Sequence, residues 1–428
     1  MNTLKSLGQA FKVSDIRRKI IFTVLMLVVF RLGCCIPVPG MDRDILDQYF
    51  SSASGLFGLF DMFSGGSFSN FTIFALSITP YVTASIILQL LTVAIPRLEA
   101  LSKEGTEGRK KIAQYTRYLT VVLAFVQSIG LTFGLFRNAV IDKDNPFSLI
   151  VIVLTLTAGT AFLMWLGEQI NEHGIGNGIS LIIMAGIVAR MPSAIHQTIT
   201  KVQTGEVSVV SIIIFLVFAV AVVVGIIEVQ QGTRKIPVQY AKRVVGRKMY
   251  GGQNTHIPMK VNQAGVIPVI FSISIIQFPL TISYFTDPNS GFTTFVQKYL
   301  SSTGNPGVWV YSVLNIILTM FFTYFYTAIT FNPMEVADNM KANGGFIPGI
   351  RPGRPTVDYL SKVMTRITFA GAVFLAVIAT IPAIISNFTA LDIHFGGTSL
   401  LIAVGVALDT MKQLESQLVM RNYQGFLK

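Results

Sequence analysis

Ten long apolar stretches separated by shorter polar ones set the pattern of this chain. They lie near residues 19–36, 73–94, 112–136, 148–167, 178–196, 208–229, 265–285, 309–331, 367–386 and 397–414. A helix of about 20 mostly apolar residues crosses a hydrocarbon layer of about 30 Å, so each stretch is a candidate span. The runs are continuous and lack the apolar-polar alternation of a membrane strand. The pattern therefore predicts an all-α polytopic membrane protein with ten transmembrane helices. The first stretch leads into Ile36-Pro37-Val38-Pro39-Gly40 rather than a small-residue cleavage site, and is expected to stay in the mature protein.

Two of the stretches echo each other. Residues 77–91 read Ser-Ile-Thr-Pro-Tyr-Val-Thr-Ala-Ser-Ile-Ile-Leu-Gln-Leu-Leu, and residues 265–280 read Gly-Val-Ile-Pro-Val-Ile-Phe-Ser-Ile-Ser-Ile-Ile-Gln-Phe-Pro-Leu. In both, an early proline and a Ser-Ile-Ile core precede a glutamine, with Pro80 nine positions before Gln89 and Pro268 nine before Gln277. The intervening serines are one position out of register. Matched spacing of this kind points to two related halves, residues 1–200 with the first five spans and residues 201–428 with the other five.

Composition and charge sharpen the picture. Of 428 residues, 52% are hydrophobic and only 13% charged, about half the charged share of a soluble domain. With both termini inside, the inner segments hold 26 Lys and Arg against 12 Asp and Glu, and the outer ones 6 against 9, Arg31 within the first span completing the 33 basic residues. That asymmetry is the positive-inside rule with an even number of spans. The outer segment 37–70 fits it, carrying Asp42, Asp44, Asp47 and Asp61 against Arg43 alone.

The spans lack the usual marks of pumps and enzymes. Arg31 is the charge placed most firmly inside one, and is expected to snorkel or to pair with a carbonyl. The four histidines fall in loops or at span ends, so the intramembrane coupling groups of ion-driven transporters find little support. No phosphate loop, His-Glu-x-x-His or Cys-x-x-Cys is present, which predicts no cofactor and no catalysis by these routes; any work must be driven from outside. Gly174-Ile-Gly-Asn-Gly178 lacks a preceding strand and is expected to be a tight turn. Adjacent Cys34 and Cys35 are expected to be small buried residues, not a disulfide.

Two inner loops are strongly basic. Residues 230–262 carry Arg234, Lys235, Lys242, Arg243, Arg247, Lys248 and Lys260 with no acid, and their Lys-Ile-Pro-Val-Gln-Tyr run predicts a cytosolic hairpin turning near Gly251-Gly252. Residues 332–361 hold Gly-Gly-Phe-Ile-Pro-Gly-Ile-Arg-Pro-Gly-Arg-Pro, whose prolines and glycines predict a rigid irregular tip presenting Arg351 and Arg354. Charge alone leaves two readings open: topology signals that touch anionic lipid, or a docking surface for RNA or an acidic protein face.

Several long motifs, in order, resemble the SecY/Sec61-alpha family of protein-conducting channels over essentially the whole chain. They are Ile-Pro-Val-Pro-Gly at 36–40, the Ile-Thr-Pro-Tyr-Val-Thr-Ala-Ser-Ile-Ile-Leu-Gln-Leu-Leu segment and Gly-Glu-Gln-Ile-Asn-Glu-His-Gly-Ile-Gly-Asn-Gly-Ile-Ser at 167–180. Gly-Ile-Arg-Pro-Gly at 349–353 and Gly-Gly-Thr-Ser-Leu-Leu-Ile at 396–402 complete the set. The resemblance implies two pseudo-symmetric five-helix halves forming an inverted repeat in the bacterial plasma membrane. A polypeptide would cross between them, and an apolar signal sequence would leave sideways through a lateral gate between the second and seventh spans.

The same resemblance implies roles for particular residues. The pore ring would be Val82, Ile86, Ile183, Ile187, Ile270 and Ile402, with Val82 in place of the commoner isoleucine. The gate would be lined by Ile87, Gln89, Thr92, Ser274, Gln277 and Phe278, whose uncharged polar groups can pair across a closed seam and release without stranding a charge. A plug near 55–64 would contain Gly55, Leu56, Phe57, Leu59, Phe60, Met62 and Phe63. Lys242, Arg243, Arg247, Lys248, Arg351 and Arg354 would receive the SecA motor ATPase or the ribosome, through its RNA and proteins near the exit tunnel. SecE and SecG would be partner subunits, with precursor polypeptide and membrane lipid as further contacts. An inverted-repeat transporter and, behind it, a membrane-embedded enzyme are the alternatives of other classes.

Overall fold

The computed structural model describes residues 11–46, 61, 64–142, 145–205, 209–240, 243–245, 248–250, 255–283, 286, 290–300, 306–388 and 397–425. The first helix, α1 (Ser14–Gly33), stops just ahead of the Pro37-Val38-Pro39 run, where proline's fixed φ and missing N–H forbid another helical turn. The chain then runs extended, with the Val38 N–H donating to Phe71 O at 3.0 Å and the Asp42 N–H to Ala139 O at 2.8 Å. Cys34 and Cys35 follow the helix. Cys34 is buried, but Cys35 is exposed, which corrects the expectation that both are buried: successive residues at a helix end point to different sides.

The second apolar stretch is helical only as α2 (Thr79–Ala94). Residues 73–78, expected within the span, form turns, and Ser77 has a φ of 52°. Close backbone packing explains the departure, because a Cβ at Gly159 would lie 1.9 Å from Ile73 O. At its far end α2 breaks where Ile95 turns extended ahead of Pro96, and α3 (Pro96–Lys103) leaves at 100°. Next come α4 (Thr106–Ile129), prolonged by a π-helical turn, then α5 (Pro146–His173), α6 (Gly178–Gln203) and α7 (Val209–Gln231).

The basic segment after α7 is the expected hairpin. Strand β1 (Thr233–Tyr240) is followed by β2 (Arg243–Val245), β3 (Lys248–Tyr250) and β4 (Thr255–Lys260). Thr233 faces Lys260 and Val238 faces Thr255, and the same register continues with Arg243 opposite Tyr250 and Val245 opposite Lys248. The shared register of the two ladders puts the reversal between Val245 and Lys248 instead of near Gly251-Gly252, at the midpoint of the paired residues.

The rest of the chain forms α8 (Ile267–Ser283), α9 (Gly291–Tyr299), α10 (Gly307–Thr330), α11 (Pro333–Ala342), β5 (Gly345–Phe346), α12 (Arg354–Phe388) and α13 (Gly397–Gly425). Pro80 and Pro268 are each the second residue of their helix, where a missing N–H is harmless, so the echoed prolines mark equivalent starts. Strand β1 pairs with both β4 and β5. It turns Ile236 and Val238 onto Met259, Met340, Leu360 and Val363, a small core outside the bundle. The loop 332–361 also contains α11, β5 and the start of α12. The irregular tip is confined to 343–353, where Gly344, Gly349 and Gly353 take positive φ, and Arg354 opens a helix.

Each of the ten expected spans falls on one long described helix: α1, α2, α4 to α8, α10, α12 and α13. Among the described residues, five helical stretches, beginning at Thr106, Pro146, Gly178, Gly307 and Arg354, are by themselves long and apolar enough to cross a bilayer, and the bent pair of α2 and α3 makes a sixth. Exposed apolar residues recur at helical spacing, as in Ile21, Val24, Leu25, Val28 and Leu32 on α1 and Ile213, Leu216, Val217, Val220 and Val224 on α7. Water would penalise such stripes; a bilayer matches them.

Candidate functional site

The centre of the bundle is largely apolar. Val82 and Ile86 from α2, Ile183 and Ile187 from α6, Ile270 from α8 and Ile402 from α13 are all buried and belong to one aliphatic and aromatic cluster. The i, i+4 spacing puts each pair on one helix face. Ser77, Thr79 and Val82 share a cavity of only about 20 Å³ with Ile183, Ile270, Ser274 and Gln277. Arg31, by contrast, is not a free intramembrane charge. Its Nη1 donates to Gly65 O at 3.1 Å, the carbonyl pairing that its position suggested.

On the side of the basic segments a polar cavity of about 900 Å³ opens. Asn171 and Glu172 at the end of α5, Asn177 of the α5–α6 turn, Lys260 at the end of β4, and Asp409, Lys412 and Gln413 of α13 contribute to its wall. Val266 and Val406, both members of that apolar cluster, also line it. The polar cavity therefore shares part of its wall with the apolar cluster. The Gly174–Gly178 stretch is the expected tight turn. Asn171 Oδ1 accepts from the Gly178 N–H at 2.8 Å, Asn177 Oδ1 accepts from the Ser180 N–H, and the Gly176 N–H donates to Gln413 Oε1 at 2.9 Å.

Beyond the cluster, residues 61 and 64–69 form a turn bound to two helices. Asp61, only 4% exposed, pairs with Arg190 of α6 and accepts from the Ser69 N–H at 2.8 Å. Gly65, at φ 65°, packs so closely that a Cβ would lie 2.7 Å from Gly186 Cα, and Gly186 directly precedes Ile187.

Comparison with known proteins bears on this arrangement. The SecY family model matches residues 72–411. The protein translocase subunit SecY of Halalkalibacterium halodurans is 49% identical over 434 residues, covering 99% of this chain and 100% of that protein. The chain belongs to the SecY family. A solved protein-conducting channel superposes with a TM-score of 0.66 at 21% identity, covering 94% of this chain and 93% of that one. Sec61 in the canine ribosome-channel complex of the endoplasmic reticulum gives 0.60 at 18%, with coverage of 94% and 93%. At these identities the likeness carries the fold.

Of the residues expected to line a lateral gate between α2 and α8, three make side-chain hydrogen bonds within their own helices. Gln89 Nε2 donates to Ser85 Oγ at 3.3 Å, Thr92 Oγ1 to Leu88 O at 2.7 Å and Ser274 Oγ to Ile270 O at 2.8 Å. Each bond stays inside its own helix, since a hydroxyl one turn above a carbonyl is satisfied locally. Gln277 is buried, Ile87 is half-buried and Phe278 is exposed. Arg351 and Arg354 are both exposed, while Arg243 and Lys248 lie in β2 and β3. The expected plug residues Gly55, Leu56, Phe57, Leu59, Phe60, Met62 and Phe63, with Lys242 and Arg247, lie outside the described residues.

Sequence reasoning missed the polar wall formed by Lys412 and Gln413, although the polar residues that follow the apolar part of α13 were its signal. It also missed the Asp61–Arg190 pair, whose members are far apart in the chain. Arg190→Ala leaves Asp61 buried without its cation and is expected to cost about 3 kcal/mol. Adding Asp61→Asn to Arg190→Gln removes both charges and should recover most of that loss. Equilibrium unfolding of the purified protein in detergent measures both, and strictly additive effects would show that the pair contributes nothing.

Proposed function

We propose that this chain is the polypeptide-conducting channel of a bacterial Sec translocase, seated in the plasma membrane with both termini cytoplasmic. The observation that carries the reading is the polar cavity whose wall shares Val266 and Val406 with the apolar cluster to which α2, α6, α8 and α13 contribute. An extended polypeptide enters such a cavity from the cytosolic side and meets Val82, Ile86, Ile183, Ile187, Ile270 and Ile402 as the constriction. Aliphatic side chains offer water and ions no hydrogen bonds, so the closed ring dewets, yet they spread around a passing chain because they hold no fixed bonds.

In this reading the halves 1–200 and 201–428 part at the seam of α2 and α8, and a signal sequence or membrane segment leaves there into lipid. The 55–64 segment acts as plug, with the Asp61 turn as its stem. Arg351, Arg354 and the basic ribbon receive SecA or the ribosome, SecE braces the two halves and SecG lies at the periphery. The resemblance to Sec61 in a ribosome-bound complex supports the ribosome as a partner class.

The seam gives the first test. In a background with Cys34→Ala and Cys35→Ala, Thr79→Cys combined with Gln277→Cys places thiols on two walls of the same small cavity. Oxidation is expected to abolish export of a secretory precursor and reduction to restore it; full export through demonstrably crosslinked channels would sink the lateral gate.

Ile402→Asn puts a hydrogen-bonding group into the ring, easing wetting and destabilising the closed state. Reconstituted channels should leak small ions about tenfold more, which corresponds to about 1.4 kcal/mol, and precursors with defective signal sequences should be exported. A well-assembled variant with unchanged conductance and selectivity would reduce Ile402 to core packing.

Arg351→Glu reverses charge on the exposed tip without touching a span. Translocation should fall at least about tenfold while insertion into the membrane is unaffected. Normal translocation rates would leave the tip without a docking role.

A further inference from the structure

The nine-residue helix α9 (Gly291–Tyr299) has two apolar flanks, and the protein covers one of them. Thr293 and Val296 are buried. The turn that leads into the helix is fixed by hydroxyls: Thr293 Oγ1 lies 2.8 Å from Thr286 Oγ1 and 2.9 Å from Ser290 Oγ, and Ser290 Oγ also accepts from the Thr293 N–H. On the neighbouring flank, Phe292 and Phe295 are 42% and 55% exposed. With Tyr299 they follow i, i+3, i+7 spacing, which gathers them on one stripe, and the Phe295 and Tyr299 rings lie 5.0 Å apart between centroids. Thr294 and Gln297, on the other side, are polar and exposed.

We propose that this aromatic flank of α9 is a lipid-docking surface, seated in the headgroup and upper acyl region of the outer leaflet. Nine residues make a helix of about 14 Å, too short to span, and the chain holds it between the end of α8 at Ser283 and the start of α10 at Gly307. Both of those ends are on the outer side by the charge asymmetry of the sequence. The surface next to α9 already faces lipid: Trp309, in the first turn of α10, is 48% exposed and begins a line of exposed apolar residues through Val313, Ile317 and Phe321. Phe292, Phe295 and Tyr299 extend that line into the level where aromatic rings collect at membrane interfaces. Lys298, with Nζ 5.6 Å from the Tyr299 ring centroid, is the basic side chain that such a helix turns toward anionic headgroups. The inference rests on membrane embedding and is independent of what the bundle conducts.

The test places a fluorophore on each side of α9 in the full chain. In a background with Trp165→Phe and Trp309→Phe, the Phe295→Trp and Gln297→Trp variants are reconstituted into phosphatidylethanolamine and phosphatidylglycerol vesicles containing lipid brominated near the headgroup end of the acyl chain. Emission of the Phe295→Trp variant should fall by about half, and that of the Gln297→Trp variant, on the watery side, should hardly change. Phe295→Trp is close to a conservative exchange of one ring for another, so loss of the fold is not its expected outcome. Equal quenching of the two variants would overturn the proposal, because the helix would then have no lipid-facing side. A blue-shifted, unquenched Phe295→Trp emission would overturn it as well, since the flank would then be covered by protein.

Discussion

The meeting of α2, α6, α8 and α13 on aliphatic side chains constrains everything around it. Val82, Ile86, Ile183, Ile187, Ile270 and Ile402 contribute contact without direction, so the four helices are held together by shape alone at that level. The polar groups nearby are kept from interfering by local bonds, Ser274 to Ile270 O and Thr92 to Leu88 O. Elsewhere polar side chains do join helices. Ser272 Oγ donates to Asn315 Oδ1 at 2.7 Å between α8 and α10, and Arg117 meets Glu168 at 2.7 Å between α4 and α5. Directional bonds thus secure neighbouring helices on either side of the six aliphatic residues.

The Asp61 turn shows how strictly this apolar level is bounded. Two arginines from different helices, Arg31 and Arg190, reach the same short turn, and the absence of a side chain at Gly65 lets its backbone touch α6 beside Ile187. A buried carboxylate is tolerable here because it is paired and also accepts a backbone N–H. On the opposite side the boundary is made by Val266 and Val406, above which the wall turns polar within one turn of helix.

How much of this was legible in the sequence depends on what each signal reports. A continuous apolar run reports burial in lipid, so the spans were readable, but residues 73–78 are apolar and form turns, which the run cannot reveal. Alternation in Lys-Ile-Pro-Val-Gln-Tyr made β1 readable, whereas the reversal point required the register of the whole ribbon. The six aliphatic residues at the centre are indistinguishable by type from any packed isoleucine, and only family likeness singled them out. Asp61 and Arg190 read as an outer-loop acid and a span-end base, since nothing local tells either that the fold will bring them together.

Helix α12 carries a mechanical consequence. From Arg354 to Ile381 it runs unbroken for 28 residues, about 42 Å, which exceeds the hydrocarbon thickness of about 30 Å by about two turns. Its first turns are gripped by Ile236, Met259 and Met340 of the small core outside the bundle, and deeper in the bundle Leu375 and Ile378 belong to the central cluster. A rod clamped at both ends in this way has no joint to absorb a push. Torque applied at the arginine tip is therefore delivered, with little loss, to the side chains that pack around the centre of the bundle.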